Sequence, residues 1–226
     1  MSCLLERCEI NSTGIDPSSR KQIMKKILIA ATVGLLVVGS VAAQESPWLV
    51  RARAVHLNMA NQDSTDLNLG LSVNDKTIAE VDISYFFTKN IAAELILTVP
   101  QKQHVYAYGT DLGTFKHLPP TLTVQYHFTD FTGYKPYVGA GLNFTRISNE
   151  ALSSAGAGGT PNITLSQNRF GAALQAGVDI PLTKQMSLNL DVKKVYLDTH
   201  VYVSGVDHGT LKLDPVLLGV GIGYRF

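Results

Sequence analysis

Three groups of side chains in this sequence could do chemistry: charges at alternate positions, scattered histidines, and a Ser–Asp–His cluster near the end. Arg51 and Arg53 are two apart, as are Glu80 and Asp82. Glu94, Arg169, Asp179, Asp191, Lys193 and Arg225 follow on the same parity of later segments. Residues two apart share one face of a strand, so these five cations and five carboxylates are expected to converge on one surface. Buried charges survive when they are paired, and a neutral ion-pair network is therefore expected. A selectivity filter, the functional alternative, needs an excess of one sign. Arg51 and Arg53 should face Glu80 and Asp82 across a hairpin.

The six histidines (56, 104, 117, 127, 200, 208) show no zinc-ligand spacing, so neither a metal nor a cofactor is expected. GAGGTP (156–161) lacks the lysine and following helix of a phosphate loop and reads as a mobile loop tip. Ser204, Asp207 and His208 share one segment, but a nucleophile needs an orienting neighbour and none is evident. An enzyme is not expected. A formal net charge of +1 leaves no electrostatic footprint for nucleic acid.

The elements that must position these charges are strands. A period of two recurs eight times, over about 48–55, 78–87, 92–99, 121–128, 137–144, 169–180, 186–193 and 216–226. Short links (88–90, 129–135, 181–185) alternate with long ones (about 58–76, 100–117, 148–166, 199–210). Eight strands with one apolar parity each, short turns at one end and long loops at the other predict an all-β fold. The expected form is an eight-stranded antiparallel transmembrane β-barrel of up-and-down type, with short periplasmic turns and long extracellular loops. A secreted soluble barrel such as a lipocalin would put the apolar parity inside. The small, glycine-rich opposite parity of the last strand, LGVGIGYRF (218–226), favours lipid outside. Tyr224 and Phe226 then belong to an aromatic girdle, and a terminal Phe is characteristic of substrates of the barrel assembly machinery.

Upstream, Lys25-Lys26, the apolar run 27–38 and Val41-Ala42-Ala43 read as a signal peptide over 24–43. Translation is expected to start at Met24, with residues 1–23 upstream of the true start and the barrel spanning 44–226. Cys3 and Cys8 both lie in the upstream stretch, so the exported chain has no disulfide framework.

The interior of eight strands is just wide enough for side chains to fill it. Val55, Leu57, Ile78, Phe86, Ile96 and Leu217 are apolar on the inward parity or beside it. They form a funnel toward the long-loop end or, alternatively, ordinary packing beneath the loops. Pro119-Pro120 removes two ladder donors. The pair marks either a strand start or a lateral gap in the wall. Lys194, on the outward parity, is expected at the outer rim, where a charge costs little.

The stretches KHLPPTLTVQYHF (116–128), YKPYVGAGLNFTRI (134–147), LQAGVDIPL (174–182), LNLDVKKVYLDT (188–199) and DPVLLGVGIGYRF (214–226) resemble the outer-membrane protein W family, to which AlkL-type hydrocarbon importers belong. The resemblance implies a barrel in the outer membrane of a Gram-negative bacterium, passing small hydrophobic molecules, with a side opening into the membrane as one route. Its partners are then the lipid bilayer and lipopolysaccharide, the hydrophobic cargo, and the assembly machinery. Met186 stands where the family usually carries an aromatic, and Lys193-Lys194 replaces a basic–aromatic pair. The alternative function is a sealed structural barrel whose loops bind a phage, a bacteriocin or a host surface.

Overall fold

The computed structural model describes residues 46–152 and 163–226. The signal peptide, the upstream segment and the 156–161 tip expected from sequence lie outside them. The described strands run in chain order β1 (Trp48–Asn58), β2 (Gln62–Thr65), β3 (Leu71–Val73), β4 (Lys76–Phe86) and β5 (Ile91–Thr98). They continue as β6 (Gln101–Ala107), β7 (Thr110–Leu118), β8 (Thr121–His127), β9 (Lys135–Leu152) and β10 (Ile163–Leu165). The last five are β11 (Asn168–Pro181), β12 (Met186–Tyr196), β13 (Asp198–Val203), β14 (Val206–Lys212) and β15 (Val216–Arg225).

Eight of these close a ring in which every neighbour is antiparallel: β1, β4, β5, β8, β9, β11, β12 and β15. Each of the eight therefore pairs on both sides, and none is an edge strand. The apolar parity faces out: Leu95, Leu122, Val124, Leu142, Leu190 and Val220 are all exposed. A surface of this kind is stable against acyl chains and not against water. At the short-turn end, edge-on ring pairs Trp48–Tyr85, Tyr126–Phe128 and Tyr224–Phe226 form the aromatic girdle.

The long links differ from the loops expected of them. They fold into strands: β6, β7 and β3 extend the sheet from the upper half of β9, and β10, β13, β14 and β2 form a second sheet. The reason lies in their own period-two patterning. Leu71 and Val73, Val105 and Ala107, Ile163 and Leu165, and Leu211 and Leu213 are all buried in one cluster. That cluster is continuous with barrel residues Val55, Leu57, Ile78 and Leu217. The outward side chains Lys102, Asp111 and Lys116 are exposed, so β6 and β7 stand clear of lipid.

Two of the hairpins repeat one sequence. His104, Tyr106, Gly109, Asp111, Gly113 and Lys116 recur at 200, 202, 205, 207, 209 and 212. Each hairpin turns through two residues of positive φ, Tyr108-Gly109 (48° and 80°) and Ser204-Gly205 (52° and 82°). Such turns match the twist of the strands they join. In each, the aspartate accepts from the N–H two residues on (Gly113 at 2.8 Å, Gly209 at 2.9 Å) and pairs with the histidine seven residues back at 2.8 Å. The backbone N–H groups of Gly113 and Gly209, with the two imidazoles, hold both carboxyls below their ordinary value. A depressed carboxylate pKa contributes stability above its unfolded value, about 3.9, which is lost as pH falls through the folded value. Amide-exchange protection of Gly113 and Gly209 should therefore stay flat down to that region and drop below it. Asp111→Ala and Asp207→Ala should each remove the drop in their own hairpin only.

Candidate functional site

The lumen is layered. At the short-turn end Leu49, Phe86 and Ala92 form a small apolar cluster, with the Arg225 guanidinium 4.3 Å above the Phe86 ring. Above it His127 stacks on Tyr137 at 4.9 Å, and Arg51 lies 5.3 Å from the Tyr137 ring centre. Then comes a closed band of charge. Arg51 reaches Asp179 at 2.7 Å, Asp82 at 3.2 Å and Glu94 at 3.3 Å. Arg53 reaches Asp82 at 2.5 Å, Glu94 at 2.9 Å and Glu80 at 3.2 Å. Lys193 caps the band through Glu80 at 3.3 Å. The β1–β4 register sets Arg51 opposite Asp82 and Arg53 opposite Glu80.

This band is not the five-against-five network expected from parity. Arg169 pairs with Asp198 near the extension, and Arg225 donates to the Ser46 carbonyl at the other end. Parity fixes which face a side chain takes but not its depth. Arg169 stands second in β11 and Arg225 last in β15, so both miss the middle. Three cations, Arg51, Arg53 and Lys193, thus meet five carboxylates, Glu80, Asp82, Glu94, Asp179 and Asp191. Neutral donors fill the deficit. Tyr137 and Gln175 each donate to Asp191 at 2.8 Å, Asn189 to Asp179 at 2.9 Å, and Thr123 to Glu94 at 3.1 Å. The barrel is plugged here, as a narrow lumen filled by ion-paired and hydrogen-bonded side chains must be.

Above the plug lies a cavity of about 40 Å³. Its floor is the Glu80–Lys193 pair, and its apolar walls include Leu57, Met59, Ile78, Leu197 and Leu217. Of the six funnel candidates, Leu57, Ile78 and Leu217 line it. Val55 packs in the same apolar cluster without reaching it. Ile96 is buried outside that cluster, and Phe86 sits at the opposite end of the barrel. Met59, in a segment that reads as a loop, and Leu197, Leu213 and Pro215, between the last two expected strands and the link that joins them, also line the cavity and are not among the sequence candidates.

One wall of the cavity is Thr98, Pro119 and Thr121, where the ladder is interrupted. The β5–β8 pairing ends at Ile96↔Thr121, and the β6–β7 pairing resumes at Gln101↔His117. No ladder pair joins residues 97–100 to 118–120 among the described residues. Three of those seven, Pro100, Pro119 and Pro120, carry no N–H. Pro100 was not singled out by the sequence reading, because the break exists only once the two segments lie side by side.

The remaining candidates sit elsewhere. His208 pairs with Asp66 at 2.9 Å, while Asp207 pairs with His200, so Ser204, Asp207 and His208 do not assemble. Lys194 donates to the Asp214 carbonyl and lies 5.9 Å from the Tyr196 ring centre, beside the start of the extension.

Residues 39–226 match the model of the OmpW family. A Sinorhizobium fredii protein, named uncharacterized outer-membrane protein y4mB, is 44% identical over 196 residues, which is 82% of each chain. Outer membrane protein W of Escherichia coli is 32% identical over 90% of this chain and 100% of its own. The crystal structure of the outer membrane protein OprG from Pseudomonas aeruginosa has the same fold, with a TM-score of 0.65 at 24% identity, covering 83% of this chain and 99% of that one.

Proposed function

The chain belongs to the OmpW family of outer-membrane barrels, and from that premise we propose that it admits small hydrophobic molecules through the outer leaflet and releases them sideways into the membrane. One observation carries the reading. The apolar cavity has a floor of paired charge and a side wall whose ladder is interrupted between 97–100 and 118–120. Apolar cargo gains about 25 cal/mol for each Å² of surface it removes from water, and it cannot descend through an ion-pair plug without breaking it. The interrupted wall is the weaker barrier, because no backbone hydrogen bonds need to break there. At about 40 Å³ the cavity is smaller than the roughly 150 Å³ that accommodates a benzene. Passage therefore requires the unladdered stretch to spread.

The test uses the refolded barrel in vesicles with a lipopolysaccharide outer leaflet, following entry of labelled toluene with ion conductance in parallel. Toluene should enter several-fold faster than in protein-free vesicles, with little conductance. Replacing Pro100, Pro119 and Pro120 together by Ala returns three donors to the break and should slow entry toward the protein-free rate. Conductance without toluene entry would instead describe a narrow water pore and sink the proposal.

A further inference from the structure

The cavity is not uniformly apolar. His117, on β7, lines it and is 6% exposed. Its Nε2 has no hydrogen-bond partner among the described residues. Gln103 lies on the neighbouring strand β6, one rung outward of Gln101, which pairs with His117. It is fully buried, and both its amide atoms are likewise unpartnered. Every other polar side chain of the wall has somewhere to turn. Asn143 donates to Thr121 at 2.8 Å, Thr145 to Asn143 at 2.7 Å, and Lys193 to Glu80 at 3.3 Å. Buried polar atoms without partners cost free energy, and His117 Nε2 is such an atom in the lining of a space whose apolar walls include Leu57, Met59, Ile78 and Leu217. Burial, with the Lys76 ammonium nearby, pushes the His117 pKa down to about 4. The imidazole is then neutral at ordinary pH and presents either a donor or an acceptor at Nε2.

We infer that the cargo is amphipathic and not a plain hydrocarbon: a small apolar molecule with one hydroxyl or carbonyl group, which hydrogen-bonds His117 Nε2 while its body lies against Leu57, Ile78 and Leu217. The inference rests on the passage proposed above. A pure hydrocarbon in this cavity leaves Nε2 unpaired, whereas a phenol or alkanol of the same shape satisfies it. A site built to hydrogen-bond a hydroxyl discriminates against the analogue that lacks one, because its own polar group is then stranded. Gln103 lies two residues beyond Gln101 along β6 and does not line the cavity, so the anchor is His117 alone.

The discriminating pair is p-cresol and toluene, which differ by one hydroxyl. Each is followed into the lipopolysaccharide-leaflet vesicles, with rates taken above the protein-free background. In the parent barrel p-cresol should be favoured. His117→Phe keeps a planar ring beside Phe115 but removes the hydrogen bond. It should lower the p-cresol to toluene ratio about tenfold, equivalent to about 1.4 kcal/mol. His117→Gln restores a donor and an acceptor and should recover most of the ratio. Heat-modifiable gel mobility, a signature of a closed barrel, checks that both variants fold. An unchanged ratio in His117→Phe, with toluene still entering, overturns the polar-anchor inference and leaves passage standing. Equal entry of both solutes in vesicles with and without protein overturns passage itself and this inference with it.

Discussion

A Gly221→Ala barrel should fold poorly along the β1–β15 seam, whereas Gly219→Ala, the same change two residues earlier, should fold like the parent. Both glycines lie on the inward parity of the last strand. Gly221 pairs with Arg53 and Gly219 with Val55. A Cβ at 219 would stand 3.5 Å from its nearest neighbours, Arg53 Cδ, Asp191 Cβ and Val55 Cγ2, which is ordinary contact. A Cβ at 221 would overlap the Ala52 carbonyl oxygen and come within 2.8 Å of Arg53 Cα. Side chains can rotate out of the way, but the backbone of a paired strand cannot. Overpacking usually costs about 1–3 kcal/mol, and an obstacle made of backbone belongs at or above the top of that range. The Gly219 change should stay within about 0.5 kcal/mol. The measurement is the urea midpoint of the two variants refolded in lipid vesicles, with closure followed by gel mobility. Equal midpoints would mean that β15 bulges away from β1 at little cost and that the glycine parity reflects something other than close approach.

The glycines also show how far sequence reading reaches in this fold. Alternation is legible because a strand has a period of two, and only a barrel in lipid can expose Leu122, Val124 and Leu142 while burying Arg51 and Asp82. The pairing partners Arg51–Asp82 and Arg53–Glu80 follow from the hairpin that joins β1 to β4 through the outer segments. Depth along the barrel axis does not follow. Phe86 shares its parity with the lumen charges but ends β4 at the short-turn side, and Arg169 and Arg225 sit beyond opposite edges of the charged band. The extension was masked by composition, since glycine, asparagine and aspartate in the long links read as loop. Its clearest signal is the HVY motif at 104–106 and 200–202, each followed by glycine, aspartate and glycine at matching offsets. His117 could not be read as a cavity residue, because its burial depends on β6 and β7 folding over the barrel mouth. The wall break could not be read either, because it belongs to two segments at once.

The second large effect concerns the plug. Arg51→Met should destabilise the barrel by about 3–5 kcal/mol, the usual cost of removing one partner from a buried ion pair. Arg51 has no exposed side-chain surface. It contacts Asp179, Asp82 and Glu94, and it donates to Ser84 at 3.0 Å. Methionine fills much of the same space, so the loss measures charge more than volume. The parent band holds three cations against five carboxylates. Without Arg51 it holds two against five, and the excess rises from two to three. Asp179 accepts two hydrogen bonds from Arg51, at 2.7 and 3.2 Å, and is the carboxylate most dependent on it. Arg51→Met with Asp179→Leu returns the excess to two and should recover a substantial part of the lost stability, since a pair replaced by apolar residues is often near neutral. Conductance gives an independent reading. The single variant leaves unpaired negative charge beside a shortened side chain, so it should show a cation-selective leak that the double variant lacks. A single variant as stable and as tight as the parent would mean that Arg53 and Lys193 alone hold the band. The floor of the cavity would then owe its closure to packing and not to charge.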